Sequence, residues 1–176
     1  NIKQSNRSPA TKHRLIRFIR DDGVRRQVQV AIQTFERSSK GIVMGTHRLI
    51  REQIIPVPIE DVFPFFADAR NLETLTPSWL HFEILTPGQT EMHVGTIIQY
   101  ALRVHGLPVN WTTAITQWNP PYGFVDTQLS GPYVLWHHRH TFESLGTATR
   151  MVDEVQYRLP CGWLGDLIHL AIVRRD

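Results

Sequence analysis

Apolar side chains recur at every second position over most of residues 47–159, and turn chemistry separates the runs. The first run, residues 47–57, is rich in Ile and is closed by Pro56 and Pro58. The spacing then becomes helical. Val62, Phe63 and Phe66 share one side of a helix predicted over 59–67, with Pro64 placed near its start. Asp68 is suited to cap a second short helix through Leu75, which Thr76-Pro77 ends. Six further strands are predicted over 82–86, 95–104, 109–118, 123–129, 133–143 and 148–159. Their separators are Pro87-Gly88, Gly106-Leu107-Pro108, Asn119-Pro120-Pro121, Ser130-Gly131-Pro132 and Leu145-Gly146. Such short turns imply antiparallel pairing. Residues 162–176 return to helical spacing, with Leu164, Leu167, Ile168, Ala171 and Ile172 on one face. The order predicts an α+β protein: a curved seven-stranded antiparallel sheet around a C-terminal helix, with two short helices after the first strand. The space between such a sheet and helix is where a small molecule fits.

The first 45 residues do not share this pattern. Residues 1–10 are polar. Residues 13–20 alternate imperfectly up to the turn signal Asp21-Asp22-Gly23. Val28, Val30 and Ile32 then alternate with Gln27, Gln29 and Gln33, which reads as a β-hairpin. Val24, Val28, Ile32 and Phe35 fit a helix equally well. Residues 38–41 read as a linker. Charge marks the same division. Residues 1–40 carry ten basic against three acidic side chains, so the formal +3 of the whole chain hides a basic extension on a mildly acidic body. The extension, 1–45, is expected to dock onto the body (46–176), a protein partner or an anionic membrane surface through residues 1–44. Nucleic acid is disfavoured as its partner, because only Phe18 and Phe35 could stack on bases.

Hydrophobic content of 41% and charged content of 20% are ordinary for a globular domain. Cys161 is the single cysteine, so no internal disulfide forms, and a cytoplasmic setting, at most peripheral to a membrane, is expected. No apolar run approaches the ~20 residues of a membrane span. The sequence has neither a Gly-rich phosphate loop nor a Gly-x-Ser-x-Gly elbow.

Four stretches carry a family resemblance: VPIEDVFPFFADARNLETLTPSWLHFEIL, HGLPVNW, WNPPYGFVDTQLSGPYVLWHHRHTF and VDEVQYRLPCGWLG. Through them, from about Thr46 to Asp176, the chain resembles the START-like, or SRPBCC, superfamily. More narrowly, it resembles the bacterial polyketide cyclase/dehydrase-like and coenzyme Q-binding-protein-like branch. The resemblance implies the helix-grip fold and a cavity for a hydrophobic ligand. It implies no defined reaction and no cofactor.

The stretch GPYVLWHHRHTF concentrates the candidate chemistry. As a strand it puts Val134, Trp136, His138, His140 and Phe142 on one face and Tyr133, Leu135, His137, Arg139 and Thr141 on the other. Phe124, Asp126 and Gln128 share a face of their strand. So do Asp153, Val155, Tyr157 and Leu159, and Ile98, Tyr100, Leu102 and Val104. These faces are expected to be concave, since the opposite register would bury Arg150, Glu154 and Arg158. Asp126, Asp153, His138 and His140 would then meet. The most economical reading is a structural hydrogen-bond network. Next comes orientation of a ligand's polar end, with Tyr100, Trp111, Gln128, Trp136, His138, His140 and Tyr157 as the binding set. Third is acid–base catalysis by His138 or His140 with Asp126 or Asp153. A metal comes last and none is expected, because one His-x-His without Cys or a spaced third His is a weak signal. Trp79, Trp111, Trp118, Phe82 and Trp163 line the cavity or pack its core. Cys161, with no activating partner in sequence, reads as a packed thiol.

The expected function is binding of a lipid, quinone or polycyclic compound. A cyclase/dehydrase-type enzyme and an accessory subunit anchored by the basic extension are the alternatives.

Overall fold

The computed structural model describes residues 13, 15–17, 46–76, 78–86, 92–104 and 107–158. The helix expected over 162–176, Trp163, Cys161, Leu159 and the hairpin-or-helix at 24–35 lie outside the described residues, as does the side chain of Trp79. Seven strands form one antiparallel sheet: β1 (His47–Ile55), β2 (Glu83–Ile84), β3 (Ile97–Val104), β4 (Leu107–Asn119), β5 (Gly123–Ser130), β6 (Leu135–Ser144) and β7 (Thr149–Arg158). The sheet order is β1-β7-β6-β5-β4-β3-β2. Each consecutive pair from β2 to β7 is a neighbour, and β1 closes the far edge beside β7. Two register shifts in β4, at Thr112/Thr113 and Ile115/Gln117, bend the sheet at its middle. This is the α+β order that the alternation predicts, a seven-stranded antiparallel sheet with two short helices after its first strand, and it matches the sheet of the helix-grip fold that the resemblance implies.

Two differences at the helices have local causes. Helix α1 (Ile59–Phe66) carries Pro64 sixth of its eight residues rather than near its start, so one backbone bond in its last turn is missing. Burial of Ile59, Val62, Phe63 and Phe65 compensates. Helix α2 begins later than predicted and spans Asn71–Leu75. The Asp68 carboxylate is used just before it, accepting the backbone N–H of Arg70 at 3.1 Å and its guanidinium at 2.6 and 2.8 Å.

The inner face of the sheet is layered along its strands. One layer is the core, where Ile98, Ile115, Phe124, Phe142 and Met151 pack under α1 with Ile55 and Val57. Phe63 reaches into it, with ring centroids 5.6 Å from Phe142 and 5.4 Å from Trp118. Two residues further along each strand the face turns polar: Thr113, Asp126, His140 and Asp153. Two residues beyond those it turns aromatic: Trp111 on β4 and, past His138 and Val155, Trp136 on β6 and Tyr157 on β7. The cross-strand pairs Phe124↔His140, Asp126↔His138, His140↔Asp153 and Trp136↔Tyr157 hold these layers in place.

Two residues of the basic extension, Leu15 and Ile16, reach this core. His13 and residues 15–17 are helical, and Leu15 is only 2% exposed within the same buried cluster, with Ile16 packed against it. Leu15→Ala is expected to lower the unfolding free energy by about 2 kcal/mol, the low end for a buried leucine. Urea denaturation checks this, and a loss below about 0.5 kcal/mol would mean that the extension does not stabilise the body.

Candidate functional site

Four side chains from three adjacent strands meet on the inner face. Asp126 comes from β5, His138 and His140 from β6, and Asp153 from β7. Their side chains are 11–22% exposed, so they are largely withdrawn from solvent. His140 is the best-bound member. Its Nδ1–H donates to Asp153 Oδ1 at 2.7 Å and its Nε2–H to Asp126 Oδ2 at 3.3 Å. Its ring also stacks on Phe124, with centroids 4.3 Å apart. His138 lies against His140, centroids 3.8 Å apart, and is held more loosely. Its Nδ1 is 3.6 Å from Asp126 Oδ2 and its Nε2 is 3.5 Å from Asp153 Oδ1. That Nε2 is buried without a well-formed hydrogen bond. Thr113 Oγ1 completes the shell of Asp126 at 3.3 Å.

Burial opposes charge on Asp126, His140 and Asp153, and their mutual contacts overcome it. Desolvation alone would deprotonate His140, but the hydrogen bonds and charges of Asp126 and Asp153 push its imidazolium up to about 9. Burial likewise favours the neutral form of both carboxyls. Contacts from His138 and His140 nevertheless hold Asp153 well below the usual carboxylate range, and His140 lowers Asp126 in the same way. His140 is therefore a cation at neutral pH, clamped between two carboxylates. In that state it donates protons and does not accept them, which makes it a poor general base.

Beyond this cluster the face is aromatic. Tyr100 stacks on Trp111 at 5.7 Å, Trp111 meets Trp136 edge-on at 5.1 Å, and Trp136 lies 6.3 Å from Tyr157. Trp136 also meets His138 edge-to-face, with ring centroids 6.3 Å apart, so the aromatic wall ends directly on the polar cluster. Trp111 Nε1–H is buried without an acceptor. Burial, and then the charge of Asp126, push the Tyr100 hydroxyl well above its ordinary pKa, so it stays protonated.

The structure thus gathers Asp126, His138, His140 and Asp153 in one place and Tyr100, Trp111, Trp136 and Tyr157 in another, contiguous with it. Gln128 is placed differently. Its amide donates to the Tyr133 carbonyl at 2.6 Å and accepts the Tyr133 N–H at 3.4 Å, closing the β5–β6 turn instead of facing the cluster. Gly131 packs so closely on it that any Cβ there would strike the Gln128 amide. Two face assignments change near the same turn. β6 starts at Leu135, so alternation does not reach back to Tyr133 or Val134. Tyr133 folds inward, 4.8 Å from Trp136 and 5.5 Å from Trp111, whereas Val134 is 55% exposed. Trp118 belongs to the core beside Phe63, and Phe82 covers Tyr100 at 5.0 Å. Sequence reasoning also passed over Arg51, which pairs in register with Asp153 from the inward-facing positions of β1. An open groove beside Glu83, Leu102 and Arg103 lies near the β2 edge, away from the cluster.

Known proteins agree with this architecture. The fold of the Zhui aromatase/cyclase from a Streptomyces species superimposes with a TM-score of 0.54 at 17% identity, covering 66% of this chain and 70% of that one. A START superfamily protein from Mycobacterium smegmatis gives 0.51 at 14% identity, covering 73% and 94%. Norcoclaurine synthase from Thalictrum flavum, solved with dopamine and hydroxybenzaldehyde, gives 0.53 at 13% identity, covering 73% and 84%. No curated protein sequence matches the chain significantly. At these identities the superpositions show a shared fold. Lineage comes from the sequence itself: the family described as polyketide cyclase / dehydrase and lipid transport matches residues 55–176, from the end of β1 through the whole of the inner face. With that match laid over this sheet, the chain belongs to the polyketide cyclase/dehydrase and lipid transport family.

Proposed function

We propose that this chain binds a hydrophobic small molecule of the lipid, quinone or polycyclic class against the inner face of its sheet. The observation that carries this reading is the contiguous wall of Tyr100, Trp111, Tyr133, Trp136 and Tyr157, which ends on buried proton donors. Flat aromatic side chains offer large contact area to a flat ligand at low entropic cost. The donors narrow the class further. Trp111 Nε1–H has no acceptor, and His138, the ring next to Trp136, has a buried nitrogen without a well-formed hydrogen bond. Both favour a ligand with carbonyl or hydroxyl oxygens, as quinones and oxygenated polycycles have. The aromatic molecules in the Thalictrum norcoclaurine synthase structure show that this fold can hold such rings.

Native mass spectrometry of the purified full chain tests the proposal. A co-purifying organic mass is expected, and Trp136→Ala should reduce its occupancy at least tenfold by removing the ring between wall and cluster. Repeated absence of any bound mass, from cells and after incubation with quinones, would overturn it.

One observation favours a second reading, a cyclase/dehydrase-type enzyme: the 2.7 Å Asp153–His140 contact beside the wall. His140 would then act as acid, protonating a leaving hydroxyl or polarising a ketone. His138, with its longer contacts, would be the base. Turnover of a poly-β-ketone unchanged in His138→Gln and His140→Gln variants would sink this alternative.

A further inference from the structure

We propose that Asp126, His138 and His140 form a binding site for one divalent transition-metal ion of the Zn2+ or Co2+ type, with Asp153 holding the two imidazoles from behind. The inference is independent of the organic ligand and goes against the weak signal of the His-x-His spacing taken alone.

The argument is geometric. Each imidazole turns one nitrogen toward Asp126 Oδ2 and the other toward Asp153 Oδ1. At the Asp126 pole the separations are 3.3 Å to His140 Nε2 and 3.6 Å to His138 Nδ1. One ligand atom from each of the three residues fits within a 4.8 Å span. Ligands about 2.0–2.1 Å from a tetrahedral ion stand roughly 3.3 Å apart, so the two edges that meet at Asp126 already match to within a few tenths of an ångström. The Asp153 pole differs. Its 2.7 Å contact to His140 Nδ1 is a hydrogen bond with no room for an ion. That bond does what carboxylates do behind metal-bound histidines: it fixes the tautomer, so that His140 Nδ1 carries the proton and Nε2 is left for the metal. His138 Nε2, 3.5 Å from the same oxygen, faces it likewise and leaves Nδ1 turned to the Asp126 pole.

The donor set selects the class of ion. Two imidazoles and one carboxylate suit Zn2+, Co2+, Fe2+ or Ni2+ and disfavour Ca2+ and Mg2+, which prefer oxygen. Three protein ligands leave at least one position open. In taking Nε2 of His140, the ion displaces its proton to solvent, and no redox step is involved.

Chelator-stripped full chain, with any affinity tag removed, should take up one equivalent of Co2+ with visible d–d absorption, and Zn2+ should displace it. His138→Gln and Asp126→Asn should each weaken binding at least tenfold. Asp153→Asn, which touches no metal, should weaken it 10- to 100-fold. His137→Gln, on the outer face of β6, should leave it unchanged. Absence of the absorption would overturn the proposal. So would undiminished uptake in folded His138→Gln, which would mean an adventitious ion at surface histidines only. If the site variants do not fold, anomalous scattering from Zn2+-soaked wild-type crystals decides. A peak about 2 Å from the three named atoms supports the site, and a peak elsewhere or none removes it.

Discussion

Asp153→Ala is expected to cost the fold roughly 3–5 kcal/mol, the range for removing one partner from a buried ion pair. Asp153 makes the shortest contact in the cluster, 2.7 Å to His140 Nδ1, and is 8% exposed. Without it, the His140 imidazolium keeps only the 3.3 Å bond to Asp126 in a site closed by Phe124. His140 must then hold an under-compensated charge in low dielectric or lose its proton, and either outcome forfeits most of what the pair contributes. Asp126→Ala should cost less, because its contacts to the histidines are 3.3 and 3.6 Å. Chemical denaturation of both variants, with unchanged m-value as the check on two-state behaviour, orders them. A loss under about 1 kcal/mol for Asp153→Ala would show that His140 is neutral in the native protein.

Why the cluster exists is legible in the sequence only in part. Strand alternation places Trp136, His138 and His140 on one side, and the cost of burying Arg150 and Glu154 decides which side is inward. Salt bridges confirm that outer face: Arg150 pairs with Glu52 at 2.7 Å and Arg48 with Glu154 at 2.7 Å, all partly or well exposed. Alternation cannot say how far each strand slides against the next. The layering of core, ion cluster and aromatic wall depends on register, and β4 changes register twice at bulges that no residue type in its sequence announces. Tyr133 was misplaced for a related reason. Gly131 and Pro132 end one strand, but the next begins only at Leu135, and a two-residue error flips no side while a turn conformation does. Gln128, read as a ligand contact from its face, is occupied by that same turn. Leu15 was illegible for a different reason. One leucine in a basic segment has no periodicity of its own, and its burial is a property of the cluster it meets.

The cluster should also leave a signature in the pH dependence of stability of the metal-free protein. His140 is raised from 6.5 to about 9 on folding, so the folded state binds its proton more tightly than the unfolded state. Its contribution is therefore complete below pH 6.5 and is lost as pH rises toward 9. A shift of that size corresponds to on the order of 3 kcal/mol, undiminished by solvent screening because the ring is enclosed. Asp126 and Asp153 act in the opposite direction. Their lowered values stabilise the fold above the ordinary carboxylate pKa of 3.8, and that contribution is lost as pH falls below it. The two limbs leave a plateau between about pH 4 and 6.5, with an alkaline decline that belongs to His140. Urea midpoints measured in chelator from pH 5 to 10 should fall across pH 6.5–9 in the wild-type protein. His140→Gln should be less stable at pH 6 and nearly flat over that interval, so the two curves converge near pH 9. Parallel curves would assign the decline to other groups and remove the imidazolium from the account. Convergence would show that the polar layer under the aromatic wall is held together by a charged histidine whose two N–H groups are both spent on carboxylates.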